Sequence, residues 1–166
     1  KEAMRDMMSG RQMNRLLQGD VGSGKTAVAA ALVYSAAKNS MQSALMAPTE
    51  VLAEQHYKTF LKLFEGCSIN VELLTGSDTA AQKKRKKEAL KAGEIDLLIG
   101  THAIIQSDVE FKSLALVITD EQHRFGVEQR NALGEKGENP HLYVMSATPI
   151  PRTLALIIYG ELDISI

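Results

Sequence analysis

The sequence predicts an α/β fold: a central, mostly parallel sheet with helices on both faces. Three observations predict it. Short apolar runs alternate with longer stretches of helical periodicity, the pattern of βαβ units. The first run leads into a glycine-rich segment, GDVGSGKT at 19–26, that opens an alanine-rich helix. A later run, LALVIT at 114–119, ends in two adjacent acids, Asp120 and Glu121.

Taken along the chain, strands are expected at Arg15–Gln18, Ser43–Ala47, Asn70–Leu74, Asp96–Gly100, Leu114–Thr119 and Leu142–Ser146. Helices are expected at 3–8, 25–38, 50–64, 79–92 and 124–133, with shorter turns near 102–106 and 152–158. Thr49 is a natural N-cap for the helix at 50–64. GEKGENP, 134–140, reads as an exposed loop. No repeat, low-complexity tract or internal linker interrupts this order, so residues 1–166 form one domain.

That length suits a single domain with a real core. Apolar residues make up 45% and charged residues 23%, an ordinary globular balance. A net charge of −1 does not decide on nucleic acid, because a basic face can hide in a neutral total. A lone cysteine, Cys67, excludes an internal disulfide and a cysteine-based zinc site, and fits a reduced, cytoplasmic setting. No apolar stretch is long enough to span a membrane, and no signal-peptide pattern is present. The chain starts at Lys1 and stops at Ile166 just after an apolar stretch, as expected of a piece of a larger multidomain protein.

Gly19 to Thr26 fits G-x-x-x-x-G-K-[ST] in full. Gly19, Gly22 and Gly24 let the backbone wrap phosphate oxygens that a side chain would keep away. The helix that follows points its unpaired N–H groups, Ser23 to Thr26 among them, and its positive dipole end at the same anion. Lys25 can reach the β- and γ-phosphates, and the Thr26 hydroxyl can ligate Mg²⁺. The bland alternative, a glycine-rich turn between strand and helix, does not explain the full motif in this setting.

In P-loop proteins a second strand ends in an acid that holds Mg²⁺. Asp120 fits that duty, and Glu121 beside it can polarise an attacking water. A strand end that is merely polar is the competing account, and the P-loop upstream outweighs it.

Further segments carry a resemblance: APTEVLAEQH (47–56), TGS (75–77), GTHAIIQ (100–106), DEQHRFGVEQR (120–130) and SATPIPRTLA (146–155). With Gly19–Thr26 they resemble the first motor lobe of superfamily 2 DNA helicases. The DEQH box joined to RFGVEQR is similar to the RecG family of branch-migrating helicases. The transcription-repair coupling translocases are close relatives whose box is typically DEEH, and Gln122 favours the RecG side. The resemblance implies a RecA-like P-loop NTPase lobe that uses ATP and Mg²⁺. It assigns phosphate to Lys25, metal to Thr26 and Asp120, and water to Glu121. Gln122 and His123 match positions facing the γ-phosphate. Ser146 and Thr148 match the coupling motif, on a strand expected between the P-loop strand and the Asp120 strand.

The same resemblance implies branched or forked DNA as partner, with a second helicase lobe and a wedge domain on the same polypeptide. Pro48, Thr49, Thr75, Gly76, Thr101 and His102 end strands on the carboxyl edge of the sheet, where they could track a DNA backbone. Ordinary turns and caps are the alternative there. KKRKK, 83–87, runs all the way round a helix and reads first as a solvated face, with Lys83 and Lys87 as possible supplements to DNA binding. His56, His102 and His141 read as structural histidines, with nothing near them to suggest a metal. Two other functions stay open: a P-loop switch or kinase, and a non-catalytic adaptor that keeps the fold. SATPIPR and the DEQH box argue against the first, and intact Lys25, Thr26, Asp120 and Glu121 against the second.

Overall fold

The computed structural model describes residues 14–18, 24–120, 132, 135–137, 140–146 and 163–165. Seven strands share one sheet: β1 (Asn14–Gln18), β2 (Gln42–Met46), β3 (Val71–Leu74), β4 (Leu97–Gly100), β5 (Leu114–Asp120), β6 (His141–Ser146) and β7 (Asp163–Ser165). Their order is β3-β4-β2-β5-β6-β1-β7, and every pairing is parallel. Parallel neighbours need crossovers, and helices supply them. α1 (Lys25–Lys38), α2 (Glu50–Leu63) and α3 (Ala80–Ala92) follow β1, β2 and β3, and a 3-10 turn, His102–Ile105, follows β4.

The six strands read from the sequence are present with ends shifted by a residue or so, and β7 is an addition. At three residues it is too short to register as an apolar run, and it exists by pairing with β1 through Leu16↔Ile164. The helices expected at 3–8 and 152–158, and nearly all of 124–133, lie outside the described residues.

Two apolar clusters sandwich the sheet. On one face Ala29, Leu32 and Val33 of α1 and Ala53 and Phe60 of α2 pack on Leu45, Leu97, Ile99, Leu116, Ile118 and Tyr143. On the other face Leu90 of α3, Ile104 and Val109 pack on Ala44, Met46, Leu74, Leu98 and Val117. Helices therefore cover both faces, as expected. Each fully buried Leu or Phe contributes about 1.5–3 kcal/mol.

Strand alternation would place Leu114 and Leu116 on one face. They lie on opposite faces, Leu114 with α3 and Leu116 with α1 and α2. The reason is a bulge. Gln42 pairs with Leu114 and the next residue, Ser43, pairs with Leu116, so Ala115 is extra. From there Leu116, Ile118 and Asp120 share the α1/α2 face. The carboxyl ends of three strands also finish within one residue of each other: Gln18 pairs with Ser146, and Asp120 pairs with Met145.

Candidate functional site

The described end of the P-loop is the start of α1. Gly24 sits there as N-cap with φ 83°, ψ 10°, and no side chain caps the helix. A Cβ at Gly24 would meet nothing within 4 Å, so the left-handed backbone, not crowding, calls for glycine. The first turn carries no acid, which suits the positive end of its dipole to an anion. Lys25 and Thr26 are partly exposed at that end. Gly19, Gly22 and Ser23 lie outside the described residues.

β6 lies between β1 and β5, the position expected for the strand that ends at Ser146. Asp120 is thus two strands from β1, roughly 10 Å across the sheet. It is the last residue of β5 itself, not a residue beyond its tip. Glu121, Gln122, His123 and Thr148 lie outside the described residues.

One neighbour of Asp120 was missed in the sequence. His56 Nε2 lies 2.6 Å from Asp120 Oδ2, with side chains only 16% and 18% exposed. His56 falls on the buried stripe of α2 with Ala53 and Phe60, both 0% exposed. The spacing 53, 56, 60 is a helix face pointing at the sheet. That spacing was the available signal, but it does not name the partner on a strand 64 residues away.

The donors fit a magnesium ion held chiefly by nucleotide. Thr26 and Asp120 offer a hydroxyl and a carboxylate, the hard oxygen donors that Mg²⁺ prefers. Among the described residues no group of three or more His, Cys, Asp or Glu could cage a metal. Mg²⁺ at phosphates needs no such cage, since it keeps waters and takes one or two protein oxygens.

The other half of the carboxyl edge gathers part of the expected DNA-facing set. A cleft of about 200 Å³ is lined by Glu50, Gly76, Lys83, Lys87, Thr101 and His102, among others. Pro48 and Thr49 stand at the start of α2 outside this lining, and the Thr49 hydroxyl accepts from Leu52 N at 3.2 Å. Thr75 is 3% exposed. Its hydroxyl meets Ser77 Oγ at 3.0 Å, and Ser77 donates to Glu50 Oε2 at 3.2 Å. Thr75 therefore braces the turn from inside, and exposed Gly76 and Ser77 form its outer surface. Gly100 is fixed by crowding: a Cβ would lie 2.3 Å from Leu74 O and 2.6 Å from Ile104 Cγ2.

The lysine run is not one solvated face. Lys86, 10% exposed, donates to Leu73 O and to Asp78 Oδ2, because α3 lays its stem against β3. Lys87 pairs with Asp108. Within the run, Lys84 and Arg85 are exposed and the other three are half-buried.

The model of the DEAD/DEAH box helicase family matches residues 1–157. The chain belongs to the DEAD/DEAH box helicase family. Over 166 residues it is 58% identical to ATP-dependent DNA helicase RecG of Bacillus subtilis (strain 168), covering 100% of this chain and 24% of that protein. It is also 58% identical over 168 residues to RecG of Aquifex aeolicus (strain VF5), covering 100% of this chain and 21% of the relative. The chain thus spans about a quarter of the length of the curated relatives it matches. A solved structure of RecG bound to a three-way DNA junction superposes with TM-score 0.83 at 49% identity, over 98% of this chain and 22% of that one. The helicase domain of Pyrococcus furiosus Hef shares the RecA-like fold at TM-score 0.72 and 18% identity, over 99% of this chain and 37% of that one.

Proposed function

We propose that the chain is the ATP-binding motor lobe of a branch-migrating DNA helicase of the RecG type. It couples ATP hydrolysis to translocation on, and remodelling of, forked or junction DNA. The observation that carries this reading is the row of strand ends β1, β6 and β5. In that row the uncapped start of α1, the coupling strand and Asp120 share one edge. A relative solved on a three-way DNA junction supports junction DNA as the substrate class. A switch or adaptor has no use for the coupling strand, and the reading is set against both.

In this mechanism Gly19, Gly22, Ser23 and Gly24 wrap the phosphates and Lys25 neutralises charge on them. The chemistry a bound Mg²⁺ would supply is positive charge to offset what develops on the phosphates. Thr26 and Asp120 would hold the ion. Glu121 orients and activates the attacking water. Gln122 and His123 sense the γ-phosphate side, and Ser146 and Thr148 relay its loss. Pro48, Thr49, Gly76, Thr101 and His102 track DNA backbone, with Thr75 supporting the turn. A second lobe supplies arginine fingers, worth about 10³–10⁵ in rate, and a wedge domain meets the junction. The setting is the cytoplasm; among the described residues no helix is long and apolar enough to cross a membrane.

The test uses the full-length polypeptide that contains this chain. Forked DNA should stimulate its ATP hydrolysis, and Glu121→Gln should lower turnover by about 10²–10⁴-fold while nucleotide still binds. Wild-type turnover in Glu121→Gln, or hydrolysis indifferent to DNA, would overturn the reading.

A further inference from the structure

The contact between His56 and Asp120 joins two elements that the proposed chemistry treats separately. Asp120 ends β5, where the proposed function puts the metal. His56 belongs to α2, which begins at Glu50 after its cap Thr49, on the half of the edge proposed to face DNA. At 2.6 Å the two heavy atoms are hydrogen-bonded. An ionised carboxylate only accepts, so the imidazole donates from Nε2.

The helix cannot easily give way. Ala53 and Phe60, one turn to either side on the same stripe, are 0% exposed and packed on the sheet. Phe60 also meets Phe64 with ring centroids 5.9 Å apart. The backbone of His56 is therefore held by the core, and its ring reaches a fixed point above the end of β5. Asp120 is also fixed at its backbone, by pairing with Met145. Its side-chain torsion is what remains free, and a hydrogen bond to Oδ2 removes that freedom. Oδ1 takes no hydrogen bond among the described residues.

We propose that His56 is a positioning residue for the magnesium site. It locks the Asp120 carboxylate with Oδ2 toward α2, which would leave Oδ1 to hold the metal. This rests on the functional reading above, in which Asp120 serves the ion. Partners that hold a ligating carboxylate in one orientation typically govern metal affinity by 10–100-fold. A purely structural role, pinning α2 to β5, is the alternative, and the two differ in what they do to metal binding.

The experiment uses the full-length polypeptide with ADP and Mn²⁺ in place of Mg²⁺, reading Mn²⁺ affinity by paramagnetic resonance alongside the unfolding midpoint. His56→Phe keeps a ring and removes the donor. It should weaken Mn²⁺ in the nucleotide complex about tenfold or more, with metal-free ADP affinity unchanged. His56→Gln, whose amide can donate to the same oxygen, should recover most of that loss. Asp120→Asn serves as the reference. If it weakens Mn²⁺ while His56→Phe does not, the histidine is structural and the inference fails alone. If Asp120→Asn leaves Mn²⁺ affinity intact, the metal assignment fails and takes the inference with it. Should His56→Phe not fold, His56→Asn, too short to reach Asp120, replaces it in the same comparison.

Discussion

The two edges of the sheet use polar side chains in opposite ways. At the amino edge they close on the protein itself. Gln42, 3% exposed, satisfies its whole amide: Nε2 donates to Leu90 O and Ile95 O, and Oε1 accepts from Lys112 N and Ser113 N. Asn70 and Asp96 brace each other, with Asn70 N on Asp96 Oδ2 at 2.8 Å and Asp96 N on Asn70 O at 2.9 Å. At the carboxyl edge α1 starts on a bare Gly24, and among the described residues the Asp120 carboxylate is bonded through Oδ2 alone. The difference teaches where a ligand can bind: groups already paired inside the protein give up nothing for it, whereas an uncapped helix end gains by it.

The largest effect should come from breaking the closed edge. Gln42→Leu keeps the bulk and leaves Ile95 O and the N–H groups of Lys112 and Ser113 without the amide, while Leu90 O keeps its bond from Gly93 N. Each buried orphan costs about 1–3 kcal/mol, so a loss of about 3 kcal/mol or more is expected. Urea unfolding, with unchanged slope, measures it. A loss under about 1 kcal/mol would mean that water replaces the amide and that the edge is not closed.

Lys25→Ala should do the reverse, sparing the fold and emptying the open edge. A charge-assisted contact to phosphate is worth about 1.5–3 kcal/mol, or roughly ten- to a hundredfold in nucleotide affinity. Calorimetric titration of the full-length protein decides this, with the unfolding midpoint as control. Equal affinity in wild type and variant removes Lys25 from the phosphate site.

How much of this contrast was readable in the sequence depends on its physical origin. The P-loop and the apolar runs carry their own signal, because wrapping a phosphate needs glycine and burying a parallel strand needs apolar side chains on both faces. The same uniform greasiness hides the bulge: in LALVITD nothing marks Ala115 as the extra residue, yet it decides that Asp120 and not Thr119 faces α2. Gln42 and His56 were opaque for a different reason. Each is a polar residue whose role is set by partners 48–71 and 64 positions away. Lys86 looked solvated within a run of charges, and only the seat of α3 against β3 shows that its ammonium is tied down.

The remaining helix starts sharpen the comparison with α1. Thr49 caps α2 by accepting from Leu52 N, and Thr79 caps α3 in a reciprocal box with Gln82. Thr49→Ala and Thr79→Ala should each lose about 1 kcal/mol by thermal unfolding. DNA affinity of the full-length protein should fall only for Thr49→Ala, because Thr49 alone stands on the proposed DNA track. Equal DNA affinity in both variants would make Thr49 a cap and nothing more.

The smallest effect probes a cation of the open edge that is already paired. Lys87 lines the carboxyl-edge cleft, yet its ammonium holds Asp108. That hydrogen bond is the main reason the Asp108 carboxyl titrates below its ordinary value of 3.8, with Lys136 adding attraction. A carboxyl whose pKa is lowered by folding stabilises the fold above its unfolded pKa, and that contribution fades as pH falls through the folded value. Asp108→Asn should therefore lower the unfolding midpoint slightly at neutral pH. The gap should close as pH falls below the ordinary aspartate value, where the wild-type carboxyl also takes up its proton. The same variant releases Lys87 toward the cleft, so binding of forked DNA at low salt should tighten modestly and the gain should vanish as salt screens it. A midpoint gap that persists in acid would assign the effect to packing of the new amide. DNA affinity unchanged at low salt would show that Lys87 faces Asp108 for structure alone, and that this corner of the carboxyl edge is as closed as the amino edge.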